Sequence, residues 1–159
     1  MRFRKFNLED ITIFTQWLHQ DYIAKWYENP EDWIYEIVSE DFSWINHFIV
    51  EYDNRPIGFC QYYDYVKGEE TWHGSIPREG TYSIDYLIGE PEFIGKGLGK
   101  EIIKTLNHII FSDSDAKRII VQPEEENHAS CNTLLAAGFD YDEENKLYMI
   151  TRNKVGGAS

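Results

Sequence analysis

Two hydrophobic periods alternate along this chain. Over residues 99–111 the apolar side chains Ile102, Ile103, Leu106, Ile109 and Ile110 recur at helical spacing, and Lys100 and Lys104 fall between them, which predicts a helix with one buried face. The same period follows Asn7 and Asp10, placed as in a capping box, at Ile11, Phe14, Trp17 and Leu18. It returns from Pro30 at Trp33, Ile34, Ile37 and Val38, where Pro30 suits a first turn and Glu31 and Asp32 suit the positive end of the helix dipole. A further helix is predicted over residues 127–137. Residues 2–6, 45–52, 57–66, 81–88, 118–122 and 147–151, and a short segment near Phe139, are β-rich runs instead. Asp53-Asn54-Arg55-Pro56 joins two of them as a hairpin turn, and residues 67–80, with Trp72, His73 and Pro77, read as a loop that could border a pocket.

The resulting order, βααβββαβαββ, predicts an α/β domain in which helices cover both faces of a mixed sheet. Strand pairs should be parallel where a helix crosses over and antiparallel where a hairpin connects. One domain is expected over residues 1–153, with residues 154–159 as a disordered tail. Trp26, Tyr27 and Trp33 are read either as core and rim residues or as a substrate wall.

Composition narrows the function. The chain of 159 residues carries 28 acidic against 15 basic side chains, a net charge of −13, which argues against nucleic acid or an anionic membrane as partner and favours a cationic substrate. No apolar run reaches transmembrane length, and the opening residues lack the apolar core of a signal peptide, so a cytoplasmic protein is expected. Cys60 and Cys131 have neither metal-site nor redox-pair spacing and are expected as buried thiols, with no metal required.

The candidate chemistry sits where the strand of residues 81–88 runs through Gly89-Glu90-Pro91 into Gly95-Lys96-Gly97-Leu98-Gly99-Lys100. Glycines at alternate positions let a backbone approach a ligand closely, and the helix that follows aims free N–H groups and its positive dipole end at an anion. The spacing matches neither G-x-G-x-x-G nor G-x-x-x-x-G-K-[ST]. A diphosphate cradle of an acyl-CoA-binding transferase is the remaining reading.

These residues resemble the GNAT acetyltransferases, and within them the aminoglycoside 6′-N-acetyltransferases. The resemblance spans most of the chain. It is strongest over Ile84-Asp85-Tyr86-Leu87-Ile88-Gly89-Glu90-Pro91 and Gly95-Lys96-Gly97-Leu98-Gly99, and it includes Arg55-Pro56-Ile57-Gly58-Phe59-Cys60-Gln61 and Asn127 before a helix ending Ala137-Gly138-Phe139. It implies the acyl-CoA N-acyltransferase fold, its sheet splayed between strands four and five. It also implies acetyl-CoA as cosubstrate: Gly95, Lys96, Gly97, Leu98, Gly99 and Lys100 on the pyrophosphate, Leu87 and Ile88 pairing with pantetheine amides, and Asn127 near the pantetheine arm. Amine acetylation needs a base to free the nucleophile, and Asp85 matches the family's acidic residue at the acceptor site. An acid between Ile84 and Tyr86 on an apolar strand is costly to bury without a partner.

Two positions depart from the family pattern. Leu134 stands where relatives carry a tyrosine proposed as acid for the departing thiolate, leaving Cys131, Tyr141, Tyr148 or a water as substitutes. Gln122-Pro123 stands where the aminoglycoside enzymes show Asp-Pro, which removes one acceptor-site carboxylate. The expected function is acetyl-CoA-dependent N-acetylation of a small cationic amine, an aminoglycoside 6′-amine and hence antibiotic resistance, by direct transfer in a ternary complex. The alternatives are a siderophore hydroxylamine, a polyamine or a protein N-terminus as acceptor, or a degenerate acyl-CoA sensor without turnover.

Overall fold

Seven strands, β1 (Arg2–Lys5), β2 (Asn46–Tyr52), β3 (Arg55–Asp64), β4 (Thr81–Ile88), β5 (Arg118–Val121), β6 (Asp140–Asp142) and β7 (Leu147–Thr151), form a mixed sheet in the order β1-β2-β3-β4-β5-β7-β6. The computed structural model describes residues 1–156. Its helices are α1 (Ile11–Leu18), α2 (Asp21–Ala24), α3 (Pro30–Val38), α4 (Tyr65–Gly68), α5 (Leu98–Asp113), α6 (His128–Ala136) and α7 (Arg152–Gly156). β4 pairs parallel with β5 across the α5 crossover, and β6 with β7 forms an antiparallel hairpin; β1 with β2 and β5 with β7 are also antiparallel although helices lie between them in sequence, so the expected link between a helical connection and parallel pairing fails there. Two compact units divide the chain: Met1–Gln61 with Asp85–Gly99, and Tyr62–Ile84 with the chain from Lys100 onward.

In the first unit the capping box forms at the entry to α1. The Asn7 N–H donates to Asp10 Oδ2 at 2.9 Å and the Glu9 N–H to Asn7 Oδ1 at 3.0 Å. Arg4 grips the Asp10 carboxylate with both terminal nitrogens, at 2.7 and 2.9 Å, while its Nε donates to Glu51 Oε2 at 2.8 Å. Phe14, Trp17 and Leu18 of α1 then bury against Ile23, Ile49, Phe59 and Leu87, with Phe6, Tyr27, Trp33, Ile34 and Ile37 packed around them. Each such side chain contributes about 1.5–3 kcal/mol on burial. β2 turns into β3 through Asp53 (φ +50°) and Asn54 (φ +65°), the two left-handed residues that a tight type I′ hairpin needs.

In the second unit Tyr65, Ile76, Ile120 and Leu147 are buried together, with Trp72 edge-on to Tyr65 at 5.1 Å. Ile102, Ile103, Leu106 and Ile110 of α5 are fully buried and Lys100 and Lys104 are exposed, as their spacing predicts.

Four further expectations change. β3 ends at Asp64, whose carboxylate accepts from the Val66 N–H at 3.1 Å and caps α4, so residues 65 and 66 are helical rather than extended. α5 begins at Leu98, one residue before its predicted start. Cys60 is buried, but Cys131 is only half-buried. Residues 154–156, expected to be disordered, belong to α7; residues 157–159 lie outside the described residues. The reason is a distant anchor. Arg152 donates from Nη1 to the Phe111 carbonyl at 2.7 Å, from Nη2 to Ser114 at 2.8 Å and from Nε to Ala116 at 2.8 Å.

Candidate active site

Within the first unit, β4 carries Asp85 half-buried between Ile84, which is buried, and Tyr86. The carboxylate has the partner that burial demands: Gln61 Nε2 on β3 donates to Asp85 Oδ2 at 2.9 Å. Gln61 is 2% exposed, and its Oε1 lies 2.9 Å from Nδ1 of His47 on β2. Tyr27 closes on the same stretch of backbone, its hydroxyl donating to the Tyr86 carbonyl. Burial, then the charge of Asp85, hold the Tyr27 phenol well above its ordinary pKa, so it stays a neutral donor.

Beyond Asp85 the strand end is fastened from several sides. Tyr22 Oη donates to the Ile88 carbonyl at 2.9 Å, and Gln20 Nε2 donates to the Gly89 carbonyl at 2.6 Å. The Gly89 N–H returns to the Ile57 carbonyl at 2.7 Å. Glu90 receives Trp17 Nε1 and Arg55 Nη2, both at 2.6 Å, and Arg55 bridges on to Glu92 at 2.5 Å. Leu87 is buried, and its carbonyl lies 2.5 Å from where a Cβ at Gly58 would stand, so the two strands approach closely there.

The glycine turn follows. Gly95 and Gly97 take φ of +78° and +79°, and a Cβ built on either would meet nothing within 4 Å. Glycine is needed here for the left-handed backbone, and the space beside it is open. Gly95, Lys96 and Gly97 are exposed before the helix, Leu98 turns its side chain into the core, and Gly99 and Lys100 lie in the first turn of α5. The first-turn N–H groups have no partner within a helix, and with the dipole they suit an anion. An open, glycine-lined loop ahead of a sixteen-residue helix suits a diphosphate group.

Of the predicted residues, Asp85, Leu87, Ile88, Gly95, Lys96, Gly97, Leu98 and Gly99 fall in this unit, and Lys100 and Asn127 in the other. Asn127 is the N-cap of α6, where its Oδ1 accepts from the Ser130 N–H at 3.2 Å. Leu134 is fully buried. On the same helix Cys131 is the hydrogen-bond partner of Tyr148, an interaction that, with burial, pushes the tyrosine up to about 12. The ring of Tyr141 lies 5.0 Å from that of Tyr148. Gln122 is exposed, its Nε2 donating to the Lys146 carbonyl at 3.0 Å. The parallel ladder pairs Thr81 with Arg118 and Tyr82 with Ile119, while β4 continues to Ile88.

Sequence reasoning did not find His47 or the carbonyl-binding role of Tyr27. The signal for the first was Gln61, a lone amide in the run Phe59-Cys60-Gln61-Tyr62-Tyr63, which asks for polar partners on neighbouring strands. Among the described residues no group of three His, Cys, Asp or Glu side chains could hold a metal ion, and no helix is long and apolar enough to cross a membrane.

Residues 7–147 match the family model described as an acetyltransferase (GNAT) domain. The aminoglycoside N(6′)-acetyltransferase type 1 of Klebsiella pneumoniae is 22% identical over 141 residues, which cover 82% of this chain and 69% of that protein. The crystal structure of an aminoglycoside acetyltransferase, AAC(6′)-Ib, with coenzyme A and kanamycin superimposes with a TM-score of 0.83 at 21% identity, over 98% of this chain and 96% of the other. The aminoglycoside N(6′)-acetyltransferase of Legionella pneumophila superimposes with a TM-score of 0.75 at 18% identity, over 99% and 95% of the two chains.

Proposed function

This chain belongs to the GNAT acetyltransferase family, and from that premise we propose that it transfers an acetyl group from acetyl-CoA to a cationic amine, the 6′-amine of an aminoglycoside. The observation that carries the reading is Asp85, half-buried and hydrogen-bonded on the strand that runs into the open glycine turn. Acetyl-CoA, when bound, supplies an activated thioester. Gly95, Lys96, Gly97, Leu98, Gly99 and Lys100 would hold its diphosphate, Leu87 and Ile88 its pantetheine amides, and Asn127 would neighbour the same arm. One lone pair of the Ile88 carbonyl already accepts from Tyr22.

An ammonium is no nucleophile until it loses a proton, so the role of Asp85 is to bind the substrate cation and take that proton, directly or through a water. Gln61, donating to Oδ2, favours the ionised carboxylate that this role needs. The net charge of −13 supports attraction of a polycation at long range. With Leu134 buried, the Cys131–Tyr148 pair is our candidate for protonating the thiolate that leaves. A thiolate is a tolerable leaving group, so this assistance adds to the rate without being essential.

One observation favours a second reading, a different amine as acceptor. Gln122, which replaces an acceptor-site carboxylate, is engaged with the Lys146 carbonyl, weakening the case for an additional cation contact there. Thiol release from acetyl-CoA with kanamycin, beside paromomycin with its hydroxyl in place of the 6′-amine, separates the two. Turnover with kanamycin alone supports 6′-N-acetylation; turnover with neither, in protein that binds CoA, moves the assignment to another amine.

A further inference from the structure

We propose that His47 is a positioning residue for Asp85, acting through Gln61 by fixing which end of the buried amide faces the carboxylate. The inference rests on the reading of Asp85 as the base. Three adjacent strands contribute one member each: His47 on β2, Gln61 on β3 and Asp85 on β4. The two links are 2.9 Å each.

An amide has one donating and one accepting end, and a carboxylate only accepts, so Gln61 must turn Nε2 toward Asp85 and Oε1 toward His47. Oε1 in turn requires a proton on Nδ1. Reversal would set the amide oxygen against the carboxylate, and with Gln61 only 2% exposed water screens that repulsion poorly. The imidazole is held for this task. Its ring stacks on Phe59 at 6.2 Å and 25°, and Nε2 is buried without a hydrogen bond of ordinary geometry.

Burial lowers the His47 pKa, opposed by Gln61 and by the backbone of Glu36 on α3. The ring is therefore neutral near pH 7 and carries a single proton. With Oε1 as its acceptor, that proton belongs on Nδ1. Phe6 donates to the His47 carbonyl and leaves the ring untouched. The charge of Asp85 acts on Tyr27, which stays neutral.

The test combines nitrogen-15 NMR with steady-state kinetics on the wild type, His47→Phe, His47→Asn and Gln61→Leu. His47→Phe keeps a ring against Phe59 and removes the donor, and His47→Asn keeps an N–H near the place of Nδ1–H. Expected are an Nδ1–H tautomer in the wild type and a Gln61 side-chain amide signal displaced by His47→Phe but not by His47→Asn. In His47→Phe the acid limb of the kcat/KM profile should move upward by about one pH unit, about a tenfold loss on that limb, with acetyl-CoA Kd within about twofold. His47→Asn should restore the profile, and Gln61→Leu should reproduce the loss if His47→Phe does not fold. An Nε2–H tautomer, or equal loss in His47→Phe and His47→Asn, overturns the proposal. The NMR readout needs no turnover, so a wild type that acetylates no aminoglycoside defeats the acceptor assignment while the tautomer and the Gln61 signal still decide the role of His47.

Discussion

Trp17 occupies the space that a side chain at position 89 would need: a Cβ built on Gly89 would fall 2.0 Å from Trp17 Cδ2. The same indole donates to Glu90 Oε2, so Trp17 both fills the turn after β4 and ties down its next residue.

Gly89→Ala should therefore destabilise the protein by at least about 1–3 kcal/mol, the range for overpacking a filled core. A denaturant melt measures the loss. Because the two residues share one space, adding Trp17→Phe should return part of it, and strictly additive losses would contradict the packing account.

At Gly97 the surroundings are open and the backbone alone demands glycine. Gly97→Val should strain the left-handed turn by about 1–2 kcal/mol and place a branched side chain on the face assigned to the diphosphate. Calorimetric titration with CoA should show affinity falling about tenfold or more, which is roughly 1.4 kcal/mol. Unchanged affinity would put the diphosphate elsewhere.

Removing the charge of Asp85 while keeping its shape separates base from scaffold. Asp85→Asn should lower kcat about a hundred- to ten-thousandfold, the usual worth of a positioned base, with CoA affinity unchanged. Equal rates for variant and wild type would end its assignment as base.

The Arg4–Asp10 fork makes stability depend on pH with a definite sign. Arg4 holds the Asp10 carboxyl below its ordinary pKa, through its hydrogen bonds first, with help from the Asn7 N–H against the opposing effect of burial. A depressed carboxylate stabilises above its unfolded-state pKa, near 4, and that contribution is lost as pH falls through the lower folded-state value. Asp10→Asn should cost about 1–3 kcal/mol near neutral pH. In urea melts the gap to wild type should persist at about pH 5 and shrink toward about pH 2.

What the sequence made legible was local. The Asn7–Asp10 box spans four residues, the Asp53–Asn54 turn two, and the α5 face one helical period, so each follows from residue type and short-range spacing. The glycine turn was equally legible, because its conformation is written in its residue types. The His47–Gln61–Asp85 relay was not: its links join residues 14 and 24 positions apart, and the sheet order that makes them neighbours is a property of the whole fold. The α7 turn escaped for the same reason, since Arg152 is anchored by carbonyls 36 to 41 residues earlier.

That anchor also separates the order of synthesis from the order of completion. The Phe111 carbonyl, near the end of α5, takes its side-chain donor from a residue 41 positions downstream, beyond β5, α6, β6 and β7. At about 5–20 residues per second a ribosome needs roughly 2–8 s to make that stretch. For that interval the Phe111 carbonyl lacks the side-chain donor it has in the finished protein, and fraying there is the natural consequence. The guanidinium that finishes the helix arrives only after every strand of the sheet has been translated.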